Sequence, residues 1–281
     1  MSKAKPSLWR QISACLCAHF SAWLHSPRVV VMGIVILCHA CMHARNFDYI
    51  LTVNNYTAHL GEMAFSYLNR GFQITMASTF LLVMMSELPK RMSFQYSMLL
   101  RVTRGKWLAS LILFCLIVVL LMLVLLTGFS VALSMPYVTP GGGWSDLERL
   151  AENPDYKYAP QFVQEYIRVL NPLQACLCAA SVVGFFWFTM LLVILLFSLL
   201  NHPDAGMLIY MFILLFHLTF MFEILDIRTP IHYATLDAVS VQFHGNVLAS
   251  LPLVLGVYAS IDLLLIFLMA LRVRRMDLQF T

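Results

Sequence analysis

Residues 107–134 read WLASLILFCLIVVLLMLVLLTGFSVALS, 28 positions without a charged side chain. As a helix this stretch is about 42 Å long, more than the roughly 30 Å of hydrocarbon in a bilayer. In that solvent a backbone N–H or C=O finds no water, so the segment must satisfy its own hydrogen bonds and coil. Five further apolar stretches flank it: Val29–Ala44, Met63–Ser86, Leu173–Leu200, Met207–Leu225 and Ser250–Leu271. With 60% hydrophobic and 11% charged residues among 281, a water-soluble fold would expose far too much oil. The short alternating runs of a membrane barrel are absent. The expected fold is all-α: one integral membrane domain over 1–281, with six transmembrane helices.

The loops set the expected orientation, because Lys and Arg in short loops stay on the cytoplasmic side. Lys3, Lys5, Arg10 and Arg28 precede the first stretch, and Lys90, Arg91, Arg101, Arg104 and Lys106 oppose Glu87 between the second and third. Arg272, Arg274 and Arg275 oppose Asp277 after the sixth, while the fourth-to-fifth turn, Asn201–Gly206, carries Asp204. These segments total +9, against −4 for the loops of the other side. Both termini are therefore expected in the cytoplasm, with the chain multi-pass in the cytoplasmic membrane.

No cleavable signal peptide fits the N-terminus, since Arg10, Gln11, Ser13, His19 and Ser21 interrupt Leu8–Leu24. Trp9, Ile12, Leu16, Phe20 and Trp23 recur every three or four residues, the spacing of one helical stripe. The segment is expected to be an amphipathic helix lying in the cytoplasmic interface, its Trp rings at headgroup level. Between the second and third stretches, Pro89 ends one helix and Ser93 can cap a short one through about Val102. That short helix presents Phe94, Tyr96, Met98 and Leu99 and ends in Arg101 and Arg104, which suit a helix C-terminus. It reads equally as a plug for a partner's groove or as a basic interfacial helix.

Leu8–Leu24, Ser93–Val102, Asn201–Gly206 and Asp226–Ala249, with LLRVTRGKWLASL at 99–111, together resemble the permease subunits of type-2 ATP-binding-cassette transporters, the group of the ABCG-like exporters. The resemblance spans the chain and rests on architecture. It implies a cytoplasmic N-terminal helix, six spans, a coupling helix between the second and third, a very short fourth-to-fifth turn, and small external or re-entrant helices before the sixth. It further implies a separate cytoplasmic ATPase subunit, which would carry ATP and Mg. That subunit would dock on Phe94, Tyr96, Met98, Arg101, Arg104, His202 and Asp204. A second permease chain, identical or related, would complete the pathway. The chain itself lacks a GxxxxGK[ST] phosphate loop, since Gly105-Lys106 runs into Trp107. It is thus read as a transport subunit rather than an enzyme, binding no cofactor, metal or nucleic acid.

Ionisable groups in oil are costly and mark function by default. Arg70 falls in the second stretch, Glu223 in the fifth and Asp262 in the sixth, so Arg70 is expected to pair with Asp262 or Glu223. The cargo path is expected along the second and fifth stretches. Asn69, Arg70 and Gln73 would lie there among Phe72 and Met76, facing Phe212, Phe216 and Phe220. Aromatic and Met-rich walls suit a hydrophobic or amphipathic cargo such as a lipid, drug or peptide; interhelical packing is the alternative use of the same residues.

The acidic segment Met135–Pro172, with Pro140-Gly-Gly-Gly143, reads as an outer cap or an exit lid, and Asn55-Tyr56-Thr57 as a short match to a glycosylation sequon. Cys38, Cys41, His39 and His43 cluster on the first stretch, but the Cys pair and the His pair diverge by about 100° around a helix. They cannot alone converge on a tetrahedral metal. No disulfide framework is expected from seven cysteines in or beside apolar helices. HExxH and GxSxG are absent. Asp226, His232, Asp237 and His244 leave room for a membrane enzyme acting at the outer face, and Arg70 with Asp262 for an ion-coupled carrier.

Overall fold

The computed structural model describes residues 8–55, 57–86, 102–135, 138–139, 141–145, 169–221, 230, 234–235 and 247–275. Helix α1 is Leu8–Leu24, α2 Pro27–Asn54, α3 Leu60–Leu68 and α4 Gly71–Met85. They are followed by α5, Arg104–Ser134; α6, Pro172–Leu199; α7, Pro203–Met221; and α8, Val247–Arg275. Four of these are long and apolar enough to cross a membrane, within Pro27–Val53, Arg104–Ser134, Pro172–Leu199 and Ser250–Arg275. Gly71–Met85 and Pro203–Leu218 are shorter apolar helices. The chain is a membrane-embedded helical bundle.

Helix α6 is its hub, packing against α3, α5, α7 and α8, while α2 and α1 pack on α5 and α4 on α7. Trp187, Phe186, Val182, Val183 and Ile194 of α6 are fully enclosed, whereas α8 leaves Leu253, Val257, Leu263, Leu264 and Phe267 bare. Bare apolar faces of this extent suit lipid rather than water.

Several expected boundaries move. The first helix reaches Asn54 rather than Ala44 and ends on Asn55, whose φ of 53° supplies a left-handed cap. Arg45 and Asp48 therefore lie inside it. The second expected stretch, Met63–Ser86, is not one helix. It breaks at Asn69 and Arg70, and Arg70 is extended (φ −95°, ψ 118°) at the start of α4. Arg104 does not end a connector helix but begins α5. The six-residue turn Asn201–Gly206 tightens to Asn201 and His202, with Asn201 at φ 64° and Pro203 opening α7. Gly206 is already helical there, and a Cβ on it would come within 2.9 Å of the Ile194 Cα. Only glycine lets α7 start so close to α6.

Side-chain bonds gather the helix ends into two sets. At one end Arg28 bonds Ser86 Oγ (2.7 Å), Arg104 bonds the Arg274 carbonyl (3.2 Å) and Arg272 the Leu199 carbonyl (3.1 Å). At the opposite end the Glu62 carboxylate accepts from the His59 N–H (2.7 Å), the Ser145 N–H (2.5 Å) and the Ser145 hydroxyl (2.7 Å). There Ala58–His59 also pairs in parallel with Val138–Thr139, a two-residue contact no periodicity announces. Counting the shorter α4 and α7, successive apolar helices thus run alternately between a basic end and a Glu62 end.

Candidate functional site

The break in the second expected span gathers a cluster of buried polar side chains. Gly71 stands fourteen residues before Met85, so the break lies about 21 Å along the bundle from the basic end. His43 of α2 bonds Ser66 Oγ through Nε2 (3.3 Å) and Gln73 Nε2 through Nδ1 (3.4 Å). The Tyr67 ring stands edge-on to His43 (centroids 4.9 Å apart) and to His39 (5.8 Å). Asn69 is buried beside them, and Arg70 lies within electrostatic range of His43. Among the described residues three polar atoms here meet no partner within hydrogen-bond geometry, His39 Nε2, the Tyr67 hydroxyl and Gln73 Oε1, although Gln73 stands near enough to His39 to interact with it. Orphaned atoms in a buried setting each cost about 1–3 kcal/mol, so the cluster is primed to accept a hydrogen-bonding solute or water. Lower on α4, Thr75 and Thr79 bond the carbonyls of Gly71 and Thr75 (2.8 and 2.9 Å).

The expected path residues divide between two settings. Asn69 and Gln73 join this cluster, and Met76 is half-buried. Phe72, Phe212 and Phe216 are instead 44%, 52% and 40% exposed, the last two stacked with centroids 6.4 Å apart. They face away from the interior because α4 and α7 bury their small and polar faces, Ala77, Ser78 and Tyr210, against neighbours. Phe220 belongs to α7.

Asp262 does not meet Arg70. Its Oδ1 lies 2.7 Å from Thr189 Oγ1 on α6, and its Oδ2 has no hydrogen-bond partner among the described residues. Position along the bundle explains this, since α8 runs parallel to α6 and in register with it. Arg272 meets Leu199 and Asp262 meets Thr189, each pair 73 residues apart in sequence. Glu223, the other expected partner of Arg70, lies outside the described residues.

At the basic end the connector residues Phe94, Tyr96, Met98 and Arg101 also lie outside the described residues, but both flanks of the connector are visible. On its near side Trp23 Nε1 donates to the Met84 carbonyl (3.3 Å) and Arg28 to Ser86. On its far side Lys106 donates to Gln11 Oε1 (2.7 Å), and His19 Nε2 meets Ser110 Oγ (3.2 Å). Helix α1 therefore ties the two flanks together. Its inward face is Cys15, His19 and Trp23, with Phe20 and Trp23 edge-on to Phe114 of α5. The expected stripe is corrected at Trp23, which is clasped by protein rather than set among headgroups, whereas Trp9 is 73% exposed. Burial holds the His19 imidazole well below its ordinary value, at about 4, so it is neutral at pH 7. His202 and Asp204 are exposed at the same end, on the α6–α7 turn.

Sequence reasoning placed His39 and His43 on one helical face without foreseeing Tyr67 and Gln73 as their neighbours. Thr189 and the Trp187–Ser78 bond (2.8 Å) carried no signal at all. The seven cysteines are free thiols. The outer His and Asp set, Asp226, His232, Asp237 and His244, lies outside the described residues, as do most of Met135–Pro172 and Tyr56 of the sequon. No protein-family model, curated protein or solved structure matches the chain.

Proposed function

We propose that this chain is the permease subunit of an ATP-driven transporter of the type-2 ATP-binding-cassette kind, exporting a hydrophobic or amphipathic cargo. The basic end faces the cytoplasm of a plasma membrane. A separate ATPase subunit docks there on Phe94, Tyr96, Met98, Arg101, Arg104, His202 and Asp204, bringing its own ATP and Mg. A second permease chain faces Phe72, Phe212 and Phe216.

The observation that carries this reading is the α1 brace. From α1, Trp23–Met84 holds one flank of the 87–101 connector, joined there by Arg28–Ser86 from the start of α2, and Lys106–Gln11 and His19–Ser110 hold the other. A push delivered to the connector would therefore move α4 and α5 together rather than fray one loop. The polar cluster at the head of α4 then shifts with it, which is how nucleotide-driven closure on another chain would reach cargo in the membrane.

Affinity purification from native membranes tests the reading. An ATPase subunit should co-purify, and Phe94→Ala with Arg101→Ala should lose it while leaving membrane insertion intact. Transport by the purified chain alone, without nucleotide, would reject the proposal. Labelling of a Cys placed at Phe94 from outside intact cells would reject its orientation.

A second reading is favoured by one feature, the broken second span. Interrupted helices with polar residues at the break form the ion and solute sites of many secondary carriers. Uptake into proteoliposomes driven by an ion gradient, with no ATPase present, would select it.

A further inference from the structure

Thr189 has one hydroxyl proton and two acceptors within reach. Its Oγ1 stands 2.9 Å from the Phe185 carbonyl, one turn back on α6, and 2.7 Å from Asp262 Oδ1. A single O–H cannot donate fully to both. If it donates to Asp262, the Phe185 contact loses its hydrogen, and a carboxylate sits in the apolar interior with one neutral bond and its Oδ2 bare. Among the described residues no Lys, Arg or His meets either carboxyl oxygen. An ionised carboxylate so placed is severely penalised, and such groups take up a proton instead.

Both contacts are satisfied if the extra hydrogen belongs to the acid. Thr189 then donates to Phe185, and Asp262 Oδ1–H donates to Thr189 Oγ1. Oδ2 becomes the carbonyl oxygen of a neutral acid, whose missing bond costs far less than a bare charge. We infer that Asp262 and Thr189 form a proton-binding site midway through the bundle, in which Asp262 holds a proton as a neutral acid and donates it in a hydrogen bond to Thr189, whose own hydroxyl donates to the Phe185 carbonyl of α6.

The register supports this placement. Asp262 and Thr189 each precede by ten residues the pair Arg272 and Leu199, which bond at the basic end. Both therefore lie about 15 Å in, near the middle of a hydrocarbon layer of about 30 Å. Tyr258, one turn away on α8, is the titratable neighbour, and its hydroxyl is turned to the Pro230 carbonyl (3.1 Å). One turn from Thr189 on α6 stand Phe185, Phe186 and Leu192, and α5 carries no charged side chain from Trp107 to Ser134. The ligand of the site is a proton, exchanged with water when α6 and α8 part. The assignment does not depend on whether ATP or an ion gradient powers the chain.

Infrared spectroscopy of the full chain in lipid tests it. A carboxylic-acid C=O band at neutral pH should be present in the wild type and missing from Asp262→Asn. An unchanged acid band, or loss of a carboxylate band instead, would overturn the proposal. A stability readout guards against an unfolded variant. Asn keeps the shape and can donate from Nδ2 to Thr189, so Asp262→Asn should give folded protein within about twofold of wild type, whereas Asp262→Ala should fall about tenfold. If Asp262→Asn is as damaging as Asp262→Ala, the charge itself is needed and the neutral acid is wrong.

Discussion

The fourth and second apolar stretches look alike in composition, yet one is a 28-residue helix and the other breaks into pieces of nine and fifteen. In α6 nearly every polar atom is matched. Trp187 reaches Ser78, Thr189 reaches Phe185 and Asp262, and Ser198 bonds the Ile194 carbonyl at 2.7 Å. At the break in the other, Tyr67, Gln73 and neighbouring His39 keep atoms unmatched among the described residues. The difference separates a load-carrying helix, optimised for packing, from one that sacrifices continuity and hydrogen bonds to hold polarity in oil. Such local departures from good packing concentrate where function lies.

The sharpest way to break this contrast is Trp187→Ala. It removes the largest enclosed side chain of α6 and orphans Ser78, and should cost ~3–5 kcal/mol, read as a fall in melting temperature in detergent. A loss no larger than that of a surface variant would deny α6 its central role.

The next effect concerns the basic end of the second stretch, which leans on α1 through Trp23 and Met84. His19 is neutral in place because burial lowers its affinity for protons to about 4, against about 6.5 when α1 is free. The α1 contact is therefore fully stabilised above about pH 6.5 and is lost as pH falls through about 4, by up to about 3 kcal/mol. Protease access to residues 8–24, followed against pH, should show this release, and His19→Gln should flatten it.

Smaller still is Gly206→Ala. Its Cβ would press on Ile194 and Phe197 at 2.9–3.0 Å, with an expected cost of ~1–3 kcal/mol in the same melting assay. Tyr67→Phe comes last, because its hydroxyl has no partner to lose. It should leave stability within about 1 kcal/mol of wild type, or raise it, while lowering transport if the cluster receives cargo. A large destabilisation would mean that the hydroxyl is already engaged and that the break is merely structural.

Much of the architecture was legible from composition and periodicity. Leu8–Leu24 emerged at its predicted limits, and α5, α6 and α8 lie within four residues of theirs. The second stretch misled because Asn69, Arg70 and Gly71 are each tolerable in a helix, and nothing local says that three together will open one. The α1 stripe was half right: a three- and four-residue spacing tells which side is apolar, but not whether lipid or Phe114 covers it. The Arg70–Asp262 pair failed because depth alone was counted, without the parallel register of α6 and α8 that sets Asp262 beside Thr189.

By itself the sequence determined that this chain lives in a membrane, that it coils, and where its basic loops collect. Those outcomes follow from transfer of side chains and backbone between water and oil, a property each segment carries alone. Which helix stays whole, which polar atoms go unmatched, and whether an acid in oil meets a cation or a hydroxyl were decided only by tertiary structure. They depend on distances between segments far apart in the chain, and pairwise geometry of that kind is not additive in local composition.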